Sequence, residues 1–480
     1  MTGNILARGT LYLIAAQVIF SACNYAIHFW LGRRLTPDIY GICGVVLSFL
    51  VVLSMPLQSG ALKAVSKYTA ENEKLAGQIK NTGIRFQVIL ALLIFAVFFP
   101  AADLIAKLLR DPGLTPYLRL VALFVPIYGI AAVYVGVLNG IRSFKEQAKT
   151  SVVYSVSRIA AVFIFIALGY KIYGLLGAYF LGAAISLFTA RYYCNLKVSP
   201  AEGDFRLGRI SSFAVPIILF TSALTLMVNL DLFFVKALLK DAAQTGFYTS
   251  ASVLAKIPYI ALSAFSVTLF PSIARSAASG KENIDLTRKY IRQSLRYISI
   301  LLIPISLLVS ATSGQIVSLI YTDRYLAACQ PLSILIFGLT GLSVFIILTT
   351  IISASGRPII SLLIILSMLL IDIILNIMLI PRYGLSGAAA ATTATCLSGA
   401  LIAGLYVYSR FQALAPPLSL LKITLASTVV YLIALNFEVS GSLLIGYYIL
   451  LFAVYVALLF VFREVKKEDI RIAKGIFLKT

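Results

Sequence analysis

Long apolar runs follow one another along almost the whole chain and limit what it can fold into. A helix of roughly 20 apolar residues crosses the 30 Å hydrocarbon core of a membrane. The chain of 480 residues is 60% hydrophobic and only 12% charged, with a mean hydropathy of +0.97, so it has too little polar surface for a soluble domain. We therefore predict an all-α polytopic membrane protein with about 14 transmembrane helices, over residues 9–31, 39–61, 84–106, 116–139, 150–169, 173–194, 211–235, 245–273, 292–312, 328–352, 359–380, 384–409, 420–437 and 441–462.

The excess of basic residues predicts the orientation. The chain has 40 Lys and Arg against 18 Asp and Glu. In a soluble protein this excess would indicate nucleic-acid binding. Here most of the cations fall in alternate loops, as in the cytoplasmic loops of membrane proteins. We therefore predict a multi-pass protein of the plasma or inner membrane, with both termini in the cytoplasm and no nucleic acid partner.

The cysteines and the histidine do not form a pattern of metal ligands. The five cysteines are scattered singly and the chain has one histidine. Zinc sites and disulfide frameworks require clustered or paired ligands. We predict no metal site, no disulfide framework and no cofactor.

Short motifs recur about 210 residues apart and indicate an internal duplication. Each pair opens or closes helices that lie six apart in the predicted order, and six is an even number, so the two copies would have the same orientation about an axis along the membrane normal. We predict two six-helix lobes around a central cavity (1–195 and 206–411), then two extra helices with a basic tail (412–480), and alternating access. The motif pairs are YGLLGA (173–178) with YGLSGA (383–388), YGICG (40–44) with TGFYT (245–249), and LNGIRS (138–143) with SASGRP (353–358).

Four stretches resemble signatures of a transporter family. They are NIMLIPRYGLSGAA (376–389), LGRRLTPDIYGICG (31–44), NLDLFFVKALL (229–239) and the run from TGFYT to SIAR (245–275). Over residues 1–411 the chain resembles the polysaccharide-transporter, or oligosaccharide flippase, branch of the multidrug/oligosaccharidyl-lipid/polysaccharide exporter superfamily. The resemblance implies flipping of a polyprenyl-phosphate-linked saccharide from the cytoplasmic to the outer leaflet.

One position departs from the related flippases of murein precursors. Those resembling this chain carry an arginine in the eighth helix, five residues before the helix proline. Here the proline is Pro258 and that position is Val253, with Lys256 as the nearest cation. This departure argues against a murein precursor as the cargo.

Charges inside the apolar runs are candidate site residues, because each costs about 2.5–3.5 kcal/mol at mid-membrane. Asp231 and Lys256 would lie at the same depth in adjacent helices, either as a staple between the helices or as a lumen pair that an anionic cargo opens. Arg158 and Asp372 occupy near-equivalent places in the two repeats, so they could pair across the lobes. Alternatively Arg158 snorkels to the interface, or binds a lipid phosphate with its planar guanidinium.

Further polar and proline residues complete the candidate site. His28 could be an interface residue or a coupling group, and Arg33 and Arg34 could attract a phosphate at the outer mouth or flank the helix. Kinks are expected at Pro56 and Pro258, which belong to equivalent helices. The basic segment 62–80 is expected to lie on anionic membrane lipids. Polar groups for the lumen are Asn24, Tyr25, Tyr154 and Asn229.

Three functions remain open at this point. The first is a flippase for a lipid-linked oligosaccharide, with a polymerase or glycosyltransferase as possible partner. The second is a cation-coupled multidrug exporter of the same superfamily. The third and weakest is an integral-membrane glycosyltransferase or ligase, since that would need catalytic groups on a sizeable outer loop.

Overall fold

The computed structural model describes residues 2–198, 205–239, 241–259, 284–437, 439, 441 and 443–465. All regular secondary structure in this part of the chain is helical. The helices are α1 (Thr2–Arg34), α2 (Pro37–Pro56), α3 (Leu62–Glu71), α4 (Ala76–Leu108), α5 (Thr115–Gly140), α6 (Phe144–Ala167), α7 (Lys171–Lys197), α8 (Leu207–Leu238), α9 (242–259), α10 (Ile284–Ala311), α11 (Ser313–Ile320), α12 (Cys329–Ala354), α13 (Pro358–Phe411), α14 (Pro417–Asn436) and α15 (Leu443–Val461).

Twelve helical segments of the described residues are long and apolar enough to cross a membrane. The predicted all-α multi-pass class is therefore confirmed. The longest segment, α13, covers two predicted spans (359–380 and 384–409). The predicted span 245–273 begins in α9, and its part beyond residue 259 lies outside the described residues.

Helix α2 is interrupted directly after Pro56, where a kink was predicted. The five residues Leu57–Ala61 form a turn of π-helix, and α3 follows it directly. A π-turn displaces backbone carbonyls from their usual partners. The carbonyl of Leu57 accepts a hydrogen bond from Nε2 of the buried Gln87 on α4, at 3.1 Å. The interruption is thus satisfied inside the protein, as non-regular backbone at membrane depth requires.

The segment 62–80 does not form the single surface helix that its composition suggested. Residues Leu62–Glu71 continue α2 through the π-turn, and residues from Ala76 onward begin α4. Ala64, Val65 and Thr69 are buried. The amphipathic pattern of this segment arises because one side of α3 packs on protein rather than on the membrane surface.

The motif YGLSGA marks a sharp break within α13. Gly384 has φ 57° and ψ −133°, so two helices meet there. Glycine has no Cβ and adopts this positive φ without strain. Gly387 lies against the backbone of the preceding helix, since a Cβ there would be 2.7 Å from the carbonyl carbon of Leu379. The predicted start of a helix at this motif is confirmed.

The motif LNGIRS ends α5 where α3 packs closest to it. A Cβ on Gly140 would lie 2.5 Å from Cβ of Thr69 and 2.8 Å from the carbonyl oxygen of Ser66. The Ser66 hydroxyl also donates to Oδ1 of Asn139, at 2.6 Å. The glycine therefore permits backbone contact at the turn, while the neighbouring asparagine ties the turn to α3.

The chain forms two compact units, Met1–Thr249 and Ser250–Thr480. The first unit contains α1 to α8 and the first turns of α9. The second contains the rest of α9 and α10 to α15. The division into lobes of 1–195 and 206–411 rests on the repeat and stays a prediction.

In the second unit, a buried ion pair attaches the last helix to α10. Nε of Arg296 lies 2.6 Å from Oε1 of Glu464, with side chains 9% and 4% exposed. Arg296 also donates to the carbonyl of Glu464. Tyr455 of α15 donates its hydroxyl to the carbonyl of Ile300, at 2.8 Å. These bonds fix the C-terminal pair of helices, α14 and α15, against α10.

We predict that Gly140→Ala destabilises the protein by about 1–3 kcal/mol, the usual cost of overpacking. The added methyl group would meet Thr69 and Ser66 at distances no real Cβ adopts. Thermal unfolding in detergent, followed by circular dichroism, measures the effect. Gly208→Ala is the matched control, because a Cβ there meets nothing within 4 Å. An equal loss in both variants would contradict the close packing of α3 on α5.

We also predict that Glu464→Gln costs about 3–5 kcal/mol, because it leaves the buried Arg296 without its counter-ion. The exposed pair of Lys67 and Glu71 supplies the control, since Glu71→Gln should cost at most about 0.5 kcal/mol. The stability of both variants is measured by unfolding in detergent and by limited proteolysis between α14 and α15. Unchanged stability of the Glu464 variant would show that the pair does not hold α15.

Candidate functional site

Among the cations described in the first unit, Arg158 is the most deeply buried. It lies on α6 and is 2% exposed. Its guanidinium carbon is 4.9 Å from the ring centres of Tyr154 and Tyr179 and 5.2 Å from that of Phe20. Aromatic faces attract a cation through their quadrupole. Three helices, α1, α6 and α7, thus form an aromatic cage around one positive charge.

Local sequence explains part of this cage. Tyr154 precedes Arg158 by four residues and therefore lies one turn away on the same face of α6. Gly182 allows α7 to approach, because a Cβ there would be 3.0 Å from Cβ of Arg158. Tyr179 then lies on the adjoining turn of α7 and reaches the guanidinium.

The guanidinium has only one hydrogen bond to the residues described. Its Nη1 donates to the hydroxyl of Tyr154, at 3.4 Å. Its Nε and Nη2 are buried without a partner, and none of the carboxylates described in the first unit lies within 4.0 Å of it. The snorkelling interpretation is wrong, because the side chain lies among the rings rather than at the lipid surface. The pairing with Asp372 would join the two units and stays a prediction.

Asp231 is the buried carboxylate of α8 and is 2% exposed. Its Oδ2 accepts a hydrogen bond of 2.6 Å from the hydroxyl of Tyr248, and its Oδ1 accepts from the backbone N–H of Leu232 at 2.8 Å. Tyr248 was not predicted as a site residue, although it lies in the motif TGFYT. The predicted pair of Asp231 with Lys256 joins residues of the two units and stays a prediction.

The polar residues of α1 are spread along its C-terminal half. Nδ1 of His28 is 3.3 Å from the hydroxyl of the buried Tyr40. Asn24 and Tyr25 are half-buried, and Tyr25 packs on Phe29 with ring centres 5.9 Å apart. The two arginines of the last turn, Arg33 and Arg34, are exposed. The structure therefore does not bring Arg33 or Arg34 into the aromatic cage of Arg158.

The second unit contains another buried polar group, on α13. Asp372 and Asn376 are fully buried, and Nδ2 of Asn376 donates to the carbonyl of Asp372 at 2.8 Å. Asn376 was not predicted as a site residue, although it begins the motif NIMLIPRYGLSGAA. Its spacing of four residues from Asp372 could have indicated that the two side chains lie on the same face of a helix. In the first unit, the predicted lumen residue Asn229 similarly donates to the carbonyl of Thr225, at 2.7 Å.

Two motifs assigned to equivalent positions of the repeat touch each other. A Cβ on Gly41 of α2 would lie 2.6 Å from the backbone nitrogen of Gly246 in α9. Nearby, Nζ of the buried Lys236 at the end of α8 lies 2.7 Å from Oδ2 of Asp111. The first turn of α9 is therefore packed on the first turn of α2.

Metal ligands are not grouped in this part of the molecule. The described residues contain no cluster of three His, Cys, Asp or Glu side chains that could hold an ion. The predicted hinge residue Pro258 is buried in α9, as is Val253.

Comparison with known proteins places these helices in a family. Residues 30–330, more than half of the chain, match the family described as polysaccharide biosynthesis protein. An uncharacterized membrane protein of Methanocaldococcus jannaschii is 24% identical over 315 residues, which are 62% of this chain and 74% of that protein.

Solved structures of transporters share the fold. The lipid II flippase MurJ in an inward closed conformation has a TM-score of 0.76 at 14% identity, covering 97% of this chain and 99% of its own. An inward-facing multidrug resistance transporter of the MATE family scores 0.70 at 16% identity, covering 82% and 94%. A transporter from Pyrococcus furiosus, in which a reversed polarity of the binding pocket suggests a different function, scores 0.64 at 16%, covering 84% and 95%.

The chain therefore belongs to the polysaccharide biosynthesis protein family and has the fold of the multi-pass transporters of the MOP superfamily.

Proposed function

We propose that the protein is a flippase of the cell membrane that moves a polyprenyl-phosphate-linked oligosaccharide from the cytoplasmic to the outer leaflet by alternating access. Membership of a polysaccharide biosynthesis family supports a saccharide cargo. The fold it shares with transporters supports movement of that cargo across the membrane. The observation that carries the proposal is that two donors of the buried Arg158 guanidinium, Nε and Nη2, have no hydrogen-bond partner among the described residues.

The two donors of Arg158 that have no partner lie on the same edge of its guanidinium. Nε and Nη2 form the side-on fork, whose two parallel N–H bonds match two oxygens of a phosphate. The opposite corner, Nη1, is already bonded to Tyr154. Arg158 therefore has one edge fixed by the protein and the other available to a diphosphate or phosphate group.

The aromatic cage keeps this charge available for an anion. A buried ion usually needs a counter-ion, because the loss of hydration costs several kcal/mol. Cation–π contacts with Tyr154, Tyr179 and Phe20 offset part of that cost, each by about 0.5–2 kcal/mol. Since aromatic rings attract the cation without neutralising it, the net positive charge remains for a phosphate cargo.

The same charge would repel a cationic drug from the first unit. A cation-coupled multidrug exporter nevertheless remains a second candidate, because Asp231 is a buried carboxylate that could bind a proton or a metal cation. In that case Tyr248, which donates to Asp231 at 2.6 Å, would regulate its charge. A glycosyltransferase or ligase has no specific observation in its favour.

The other predicted residues enter the proposal as secondary contacts. Lys256, Arg33 and Arg34 would supply further positive charge for the phosphate, and Asp372 and His28 further coupling groups. The π-turn after Pro56 is the proposed hinge of α2, since such turns interrupt the helix without leaving donors unsatisfied. The distribution of basic residues supports cytoplasmic termini.

We predict that Arg158→Ala lowers the rate of flipping by about 10- to 100-fold, because each charge-assisted hydrogen bond contributes about 1.5–3 kcal/mol. Arg158→Lys should recover only part of the rate, since an ammonium group has no planar fork. The assay is the protection of a polyprenyl-diphosphate oligosaccharide from a soluble glycosidase in proteoliposomes.

Arg191→Ala is the matched control for this loss. Arg191 lies on α7, where it is exposed, and its removal should leave flipping unchanged. Thermal unfolding of each variant separates loss of function from loss of fold. Full activity of a well-folded Arg158→Ala protein would contradict the phosphate site.

We predict that Asp231→Asn leaves the unfolding temperature nearly unchanged, because the amide oxygen can accept from the N–H of Leu232 while the amide nitrogen donates to the hydroxyl of Tyr248. If Asp231 couples a cation to transport, the substitution should remove the dependence of flipping on an imposed proton or sodium gradient. Tyr248→Phe is the companion variant, which removes the hydrogen bond and keeps the charge. A large fall in stability together with retained gradient dependence would make Asp231 a structural group only.

A further inference from the structure

A basic cavity lies at the start of α10, next to the end of α13. Its volume is about 470 Å³. Six side chains from these two helix ends form its walls, and five of them are cationic or carry an amide. The lining residues are Asp285, Arg288, Lys289, Arg292, Gln293 and Gln412.

Arg288, Arg292 and Arg296 of α10 follow one another every four residues, and Lys289 precedes Arg292 by three, so the four cations share one face of the helix. The first and last of them are already engaged. Arg288 donates to Oδ1 of Asp285 and to the carbonyl of Phe411, each at 2.9 Å. Arg296 is bound to Glu464. The protein therefore uses both ends of this row for its own structure.

The two cations between them, Lys289 and Arg292, are exposed and line the cavity. Neither forms an ion pair with any residue of the described ranges. Since Asp285 is the single carboxylate of the lining, the three cations leave the cavity with a net positive charge. The amides of Gln293 and Gln412 add neutral donors beside that charge.

Gln412 occupies an unusual backbone conformation. Its φ of 52° and ψ of 38° are left-handed, a region that costs a residue with a Cβ about 1 kcal/mol or more. Glycine is the common residue at this place after a helix. The chain instead retains a residue whose side chain faces the cavity, and its backbone N–H closes α13 by bonding to Tyr408 at 2.8 Å.

The depth of the cavity identifies the class of ligand. The apolar spans Asp285–Ala311 and Pro358–Phe411 begin and end at its walls. The ends of membrane spans lie at the level of the lipid headgroups, where the nearest abundant anions are phosphates. Basic pockets of this kind between membrane helices bind phosphate headgroups.

We propose that this cavity binds the phosphate headgroup of an anionic membrane phospholipid through Lys289 and Arg292. The site lies in the second unit and does not depend on which cargo the protein carries. Because the phospholipid is part of the surrounding bilayer, its binding holds the start of α10 at a fixed depth.

The test compares the full-length protein with the double variant Lys289→Gln, Arg292→Gln in neutral detergent micelles. Each is titrated with phosphatidylglycerol or with phosphatidylcholine while the unfolding temperature is followed. A ligand that binds only the folded state raises this temperature. Each basic side chain contributes about fivefold in affinity for an anionic surface, so we expect the double variant to bind phosphatidylglycerol about 25-fold more weakly.

The double variant Lys74→Gln, Lys145→Gln is the control, since it removes two exposed cations that do not line the cavity and should retain the wild-type response. Equal shifts with both lipids, or an undiminished phosphatidylglycerol shift in the Lys289, Arg292 variant, would overturn the proposal. A third titration uses farnesyl diphosphate. A shift with this probe alone would also overturn it, and would assign the cavity to the diphosphate of a transported lipid.

Discussion

Satisfaction of backbone hydrogen bonds is the constraint on which the rest of this structure depends. Inside hydrocarbon an unpaired N–H or carbonyl costs several kcal/mol, so a chain this apolar must be helical wherever it meets lipid. Its two clearest departures from regular α-helix have local compensation. In the π-turn after Pro56, the carbonyl of Leu57 accepts a hydrogen bond from the side chain of Gln87. The break in α13 falls on a glycine, Gly384. In the π-turn the protein itself thus replaces a displaced backbone bond, and at the break in α13 glycine removes the strain of the bend.

Buried charges follow the same rule, but the compensation differs from site to site. Arg296 has a carboxylate, Lys236 has Asp111, and Asp231 accepts from a tyrosine and a backbone amide. Each of these groups is held by an ion pair or by hydrogen bonds. Arg158 is held mainly by aromatic faces, which attract the charge but occupy few of its donors. Among these four, it is therefore the group best suited to form new hydrogen bonds during a transport cycle.

The sequence predicts the helices well because their signals are local: apolar length, and Gly or Pro at the ends. The helix start at Gly384 and the kink at Pro56 were predicted on these grounds. It predicts neighbours only where they share a helix, as Tyr154 and Arg158 do. Tyr179 and Phe20 come from other helices, and their approach depends on how those helices are rotated and packed. The burial of one face of α3 was not predicted for the same reason, since an amphipathic pattern does not say whether the apolar side meets lipid or a neighbouring helix.

The contact of Gly41 with Gly246 shows why two of the motifs need a glycine. A Cβ on Gly41 would lie 2.6 Å from the backbone nitrogen of Gly246, and a Cβ on Gly246 would overlap the carbonyl group of Pro37. Glycine at both positions removes this collision and lets the backbones touch. Such a contact is held by dispersion, at about 0.1–0.2 kcal/mol for each atom pair. Because glycine carries no side chain, the first turns of α2 and α9 pack through backbone atoms inside the first unit.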